Sequence, residues 1–134
     1  MPKTSYPGTK IYSSNNYYET KVSFSIIYNN PKIKNIEKPN YQGELNVDKV
    51  DKMIKEYKHN PLFIRPKNKI TIGILCDTFY IIDGQHRIEM VNKLYELNNN
   101  IDDNLIFCWF KFDTELDIID LFNSLNKDST KNRF

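Results

Sequence analysis

Phe79-Tyr80-Ile81-Ile82-Asp83-Gly84-Gln85-His86-Arg87-Ile88-Glu89 is the stretch on which the fold turns. A run of aromatic and β-branched residues, suited to a strand, meets the breaker pair Asp83-Gly84. Beyond it Ile88, Val91, Leu94 and Tyr95 recur at helical spacing, and the helix runs out at Asn98-Asn99-Asn100. The first backbone N–H groups of such a helix have no intrahelical partners and carry the positive end of its dipole. Gly84 allows a sharp turn and a close approach, and Arg87 adds a planar cationic fork. Together these make an anion site, most naturally one for phosphate. A structural role is open to the same residues: Asp83 as a cap, Gly84 as a turn, and Arg87 paired with Glu44 or Glu89.

Upstream, residues 70–75 and 78–82 read as two strands joined by a tight turn at Cys76-Asp77, and residues 62–64 as a short strand. Asn46 is placed to cap a helix with Asp48 in its first turn. Val47, Val50, Ile54 and Tyr57 form its inner face with Met53 beside them, and the helix stops before Asn60-Pro61. Lys49, Lys52, Lys55 and Lys58 form a stripe on its outer side. Residues 22–28 alternate as a strand, with Val22, Phe24 and Ile26 on one face, halted by Asn29-Asn30-Pro31. Residues 32–40 read as a basic connector anchored by Ile33 and Ile36, and the polar residues 1–21 as a loosely ordered arm.

Downstream, residues 105–112 are apolar on both faces apart from Lys111, which predicts an interior strand. Phe107, Trp109, Phe110 and Phe112 are better read there as core than as a base-stacking platform. Thr114 and Asp117 resemble a capping box, opening a last helix with Ile118, Leu121, Phe122 and Leu125 inward and a polar tail over 127–134. The expected fold is α+β (mixed α/β): a small mixed sheet with packed helices, one domain over 22–134 behind the arm.

The 134 residues suit one domain, and 40% hydrophobic with 27% charged residues is ordinary for a globular chain. Net charge is +2, unevenly spread: 13 Lys/Arg against 6 Asp/Glu in residues 1–70, and 6 against 11 in residues 71–134. Heavy use of Asn, Ile, Lys and Tyr points to an AT-rich or viral genome. No apolar run reaches membrane-span length, and the N-terminus lacks a signal-peptide core. Cys76 and Cys108 are expected as two buried, reduced thiols, consistent with a cytoplasmic setting, or the host cytoplasm or nucleus for a virus. Two His and two Cys without ligand spacing argue against a zinc site, and neither a phosphate loop nor a dinucleotide fingerprint is present. His59 reads as an exposed helix-end residue.

Asp83-Gly84-Gln85-His86-Arg87 resembles the signature of the DGQHR-type proteins, a branch of the ParB/sulfiredoxin-like superfamily. Pro39-Asn40-Tyr41-Gln42 is similar to their P-x-Y-Q-R opening. Leu121-Phe122-Asn123-Ser124-Leu125-Asn126 is similar to their closing F-x-x-I/L-N segment. The three landmarks span residues 39–126 in the expected order. Gly43 stands where the opening has arginine, a role for which Lys38 and Arg65 are candidate substitutes. Gln85 stands where sulfiredoxins carry their nucleophilic cysteine, so sulfiredoxin activity is not expected. Only Gly84 and Arg87 match the nucleotide-binding Gly-Glu-Arg-Arg turn of ParB partition proteins.

The resemblance implies a nucleotide- or DNA-binding module in partition, modification or restriction. Gly84, Gln85, His86 and Arg87 would hold phosphate, and Gln42 and Asn126 would line the cleft. It implies a nucleoside triphosphate with Mg2+ as the cofactor, contacted by Asp83 through water. Charge alone reads the lysine stripe at 49–58 as a solvated helix face; the resemblance makes Lys52, Lys55, Arg65 and Lys67 candidates for a nucleic-acid surface, and a homodimer is a further state it offers. The alternatives are an NTPase or small phosphotransferase using Asp83, His86 or Glu89 as catalytic groups, and a degenerate non-catalytic interaction module.

Overall fold

The computed structural model describes residues 6–38, 43–59 and 69–131, with side chains described as far as Leu125. It is a mixed α+β fold. Strands β1 (Thr9–Ser13), β2 (Tyr17–Ser23), β3 (Lys69–Leu75), β4 (Thr78–Asp83) and β5 (Asn104–Lys111) form one sheet in the order β1-β2-β5-β3-β4. Its helices are α1 (Phe24–Asn29), α2 (Pro31–Lys34), α3 (Val47–His59), α4 (Gln85–Leu97) and α5 (Glu115–Lys131). β5 lies parallel to β3 and antiparallel to β2, so the apolar 105–112 run is an interior strand as expected. Phe107 and Trp109 are fully buried, whereas Phe110 and Phe112 lie half-buried on the opposite face. There Phe110 packs against the ring of Tyr17.

One face of the sheet carries the main core. Ile70, Ile72, Leu105, Phe107 and Trp109 meet Phe24 of α1, Val50 of α3 and Val91 of α4. Tyr57 of α3 donates its hydroxyl to buried Asp103 at 2.8 Å, and the Asp103 carbonyl accepts the Phe24 N–H at 2.9 Å. That ties α3 and α1 to the approach of β5. On the other face α5 packs Ile118 near Gly73 and Ile82, where a Cβ on Gly73 would lie 3.4 Å from Ile118. Thr114 Oγ1 accepts the Asp117 N–H at 3.3 Å, the cap expected from sequence. Among the described residues no helix is long and apolar enough to cross a membrane.

Several expectations are corrected. The arm assigned to residues 1–21 holds a β-hairpin from Thr9, because β2 pairs along its whole length with β5. Its polar composition reflects an edge strand, β1, exposed at every position. The strand expected over 22–28 ends at Ser23, whose hydroxyl caps α1 by accepting the Ile26 N–H at 3.2 Å. Phe24 and Ile27, three apart, are its buried pair, so helical spacing prevails over alternation. The connector at 32–40 contains α2, capped by the Asn30 side chain. A backbone bridge then follows: Glu37 donates to Phe79 O at 2.8 Å and accepts from Ile81 N at 2.9 Å, closing the outer edge of β4.

Smaller corrections follow from exposure. Cys76 is exposed at the hairpin tip and only Cys108 is buried; both are free thiols. Val47, the first residue of α3, is 54% exposed, and Leu125 is exposed on α5. The tail expected from Lys127 continues as helix to Lys131. The strand expected at 62–64 lies outside the described residues.

Candidate anion site at the start of α4

β4 runs through Asp83, Gly84 turns, and α4 begins at Gln85, the junction that the sequence predicts. Gly84 has φ +112°, in the left-handed region that favours glycine, and a Cβ there would lie 2.6 Å from Ile70 Cδ1. The space freed by this glycine is therefore filled by β3 and not left for a ligand. The N-cap Gly84 has no side chain to cap the helix, so among the described residues the first-turn N–H groups of α4 keep their donor capacity and the positive dipole end.

The flanking side chains point three ways. Arg87 donates from Nη1 to the Lys69 carbonyl at 2.8 Å and pairs with Asp83 at 3.6 Å; Glu44 and Glu89 are not its partners. His86 Nε2 accepts the Asn46 backbone N–H at 2.9 Å, and Asn46 Oδ1 in turn accepts the Lys49 N–H at 3.1 Å. This bond draws the N-termini of α3 and α4 together. Burial, then the positive charges of Lys49, Lys38 and Arg87, pushes the His86 imidazole below its ordinary pKa. Gln85, 7% exposed, donates from Nε2 to the Gly43 carbonyl at 2.7 Å, which lays the 43–46 segment over the turn.

Beside Gln85 lies a cavity of about 380 Å3 between α4, β4 and the α1–α2 segment. Gln85, Glu89 and Asn92 line it from α4, with Ile27, Ile33 and Lys38 among the residues facing them. Asp83, His86 and Glu89, the candidate catalytic set, are not converged on one point: Asp83 turns to Arg87, His86 to Asn46 and Glu89 to the cavity. Among the described residues no cluster of three His, Cys, Asp or Glu side chains could hold a metal ion.

Gly84, Gln85, His86 and Arg87 are thus gathered at one turn, as sequence predicts. Gln42, Arg65, Lys67 and the Asn126 side chain lie outside the described residues. Gly43 is in open space, with nothing within 4 Å of a Cβ built on it. Lys38, a candidate substitute for the missing arginine, lines the cavity and its charge reaches His86. Lys52 and Lys55 are exposed on α3, and His59 is exposed at its end. The groove beside Lys55, about 510 Å3, mixes Lys58 and Lys93 with Asp51 and Glu96, so it carries no single sign. Sequence reading did not find the Asn46–His86 and Gly43–Gln85 contacts, which span about forty residues and leave no local signal.

No family model matches the chain, nor does any curated protein or solved structure.

Proposed function

We propose that the chain is a DGQHR-type module of the ParB/sulfiredoxin-like kind that binds the phosphate of a nucleotide or nucleic acid at the β4–α4 turn. The observation that carries this reading is the pairing of two helix N-termini through His86 and Asn46, inside the field of Lys38, Lys49 and Arg87. Uncapped N–H groups and three cations favour an anion, and a multiply charged phosphate gains most from both. The Arg87 side chain is 28% exposed, and its Nη1 is spent on the Lys69 carbonyl and the Asp83 carboxylate. Its other N–H groups supply the fork. Asp83 would meet Mg2+ through water together with phosphate oxygens, the usual arrangement for that ion.

The separation of Asp83, His86 and Glu89 favours binding over hydrolysis. Participation in DNA partition, modification or restriction, in the cytoplasm and as a homodimer, belongs to the same reading.

The test is titration of the full chain with inorganic triphosphate and nucleoside triphosphates, with and without Mg2+, followed by calorimetry. Arg87→Ala is expected to weaken binding about ten-fold to a hundred-fold, the equivalent of one charge-assisted bond. Arg87→Lys recovers only part. Gly43→Arg, entering open space, is expected to tighten it. A folded Arg87→Ala protein with unchanged affinity for every ligand of the parent chain overturns the proposal.

A further inference from the structure

Residues 43–46 cross the start of α4 and are fixed there in three ways. The Gly43 carbonyl accepts from Gln85 Nε2 at 2.7 Å, and the Asn46 N–H donates to His86 Nε2 at 2.9 Å. Between these bonds Leu45, half-buried, packs against the core. Gly43 and Glu44 are exposed, and nothing lies within 4 Å of a Cβ built on Gly43, so packing does not hold that end down. The segment is a strap tied to the first two residues of α4, whose N–H groups the phosphate reading uses. Its Glu44 brings negative charge to a turn that would take an anion.

Of these fixings only the His86 bond can be undone by a proton. To accept from Asn46, Nε2 must keep its lone pair, which leaves the ring proton on Nδ1. A proton added at Nε2 turns the acceptor into a donor, and two donors then face each other. The ring also becomes a cation beside the first turn of α4. The charged groups about it are Lys49 from α3, Lys38 from the segment ahead of the strap and Arg87 from α4. All are positive and oppose the added proton while the turn is empty. Of the carboxylates on the same elements, Asp83 pairs with Arg87, and Glu44 and Asp48 are exposed. A multiply charged phosphate at the turn would reverse the balance and favour the imidazolium.

We propose that residues 43–46 are a proton-released strap over the phosphate turn: protonation of His86 frees Asn46, loosens the strap at that end and adds a cation, so that anion and proton bind together. The inference rests on the phosphate reading of the turn and adds to it a mode of regulation. The proton comes from solvent, and the hydrogen bond between Asn46 and His86 is the contact that breaks.

The experiment measures sulfate binding to the full chain across pH, sulfate being a dianion throughout the range in which histidine titrates. Affinity is expected to rise about ten-fold between about pH 7.5 and about pH 5.5, across the ordinary histidine range. Calorimetry in two buffers of different ionisation heat is expected to show proton uptake on binding. His86→Gln supplies an amide oxygen that accepts from Asn46 at every pH, and is expected to flatten the profile and abolish the uptake. Without ligand, hydrogen exchange at the Asn46 amide, corrected for its intrinsic pH dependence, is expected to lose protection over the same range.

Sulfate affinity that does not vary with pH overturns the switch and leaves the turn reading intact. A pH dependence that persists in His86→Gln assigns the proton to another group and overturns the switch too. Failure of both sulfate and inorganic triphosphate to bind at any pH overturns the turn reading. The Asn46 amide then decides the strap: protection lost as His86 titrates supports it, and unchanged protection overturns it.

Discussion

The imidazole Nε2 of His86 accepts the backbone N–H of Asn46 at 2.9 Å, joining the first turn of α4 to the residue that caps α3. Only an unprotonated Nε2 can accept. Burial and neighbouring cations hold the folded-state pKa below the ordinary 6.5. The unfolded chain therefore takes up this proton at a higher pH than the native state does. The bond's stability is present above pH 6.5 and is lost as pH falls through the lowered native value. Thermal unfolding across acidic pH is expected to show this loss, and His86→Phe should remove this contribution to the slope. A bound anion should raise the His86 pKa, visible as a shift of its ring-proton titration by NMR.

Gly84→Ala is expected to cost about 1–3 kcal/mol, combining left-handed backbone with the approach to Ile70. Ile70→Val in the same chain removes the Cδ1 contact but not the backbone strain, so it should recover only part. Urea midpoints at constant slope measure both.

Cys76 and Asp77 hold φ of 50° and 67°, the doubly left-handed pair of a type I′ hairpin turn. Replacing them with Asn-Gly should stabilise the fold by about 1 kcal/mol, read as a rise in melting temperature. The parent chain should react with maleimide at exposed Cys76, while buried Cys108 reacts only on unfolding. Replacing both cysteines with serine is expected to leave nucleotide binding largely intact, apart from packing losses at Cys108.

Trp109 Nε1 donates to Thr20 Oγ1 at 2.9 Å, both residues being buried. Thr20→Val keeps the shape and strands the indole N–H, an expected loss of about 1–3 kcal/mol in chemical denaturation.

What the sequence discloses here follows the range of each interaction. The β3–β4 hairpin, α4 and the Asn46-capped α3 are specified by neighbours in sequence: Cys76-Asp77, Gly84 and the period of Ile88, Val91 and Leu94. β5 declares itself because burial on both faces leaves a continuous apolar run. The β1–β2 hairpin is hidden, since its polar face and edge position erase the alternation that marks a half-buried strand. Ser14-Asn15-Asn16, set between two Tyr-rich runs, was the available signal. α1 is too short for its period to outweigh the β-branched residues around Ile26. At the site, residues 84–87 are legible as one turn, while the cavity is assembled from three segments distant in sequence and so leaves no local pattern.

The position of β5 bears on how the chain comes to be folded. The hairpin from Thr9 pairs with a strand that begins at Asn104, and β3 meets that same strand in parallel. During synthesis, the two halves of the sheet cannot join until residues 104–111 leave the ribosome. The high sequence separation of these contacts also slows refolding relative to a helical domain of similar size. Trp109, the only tryptophan, lies in the joining strand. Its fluorescence therefore reports the moment at which the sheet becomes continuous.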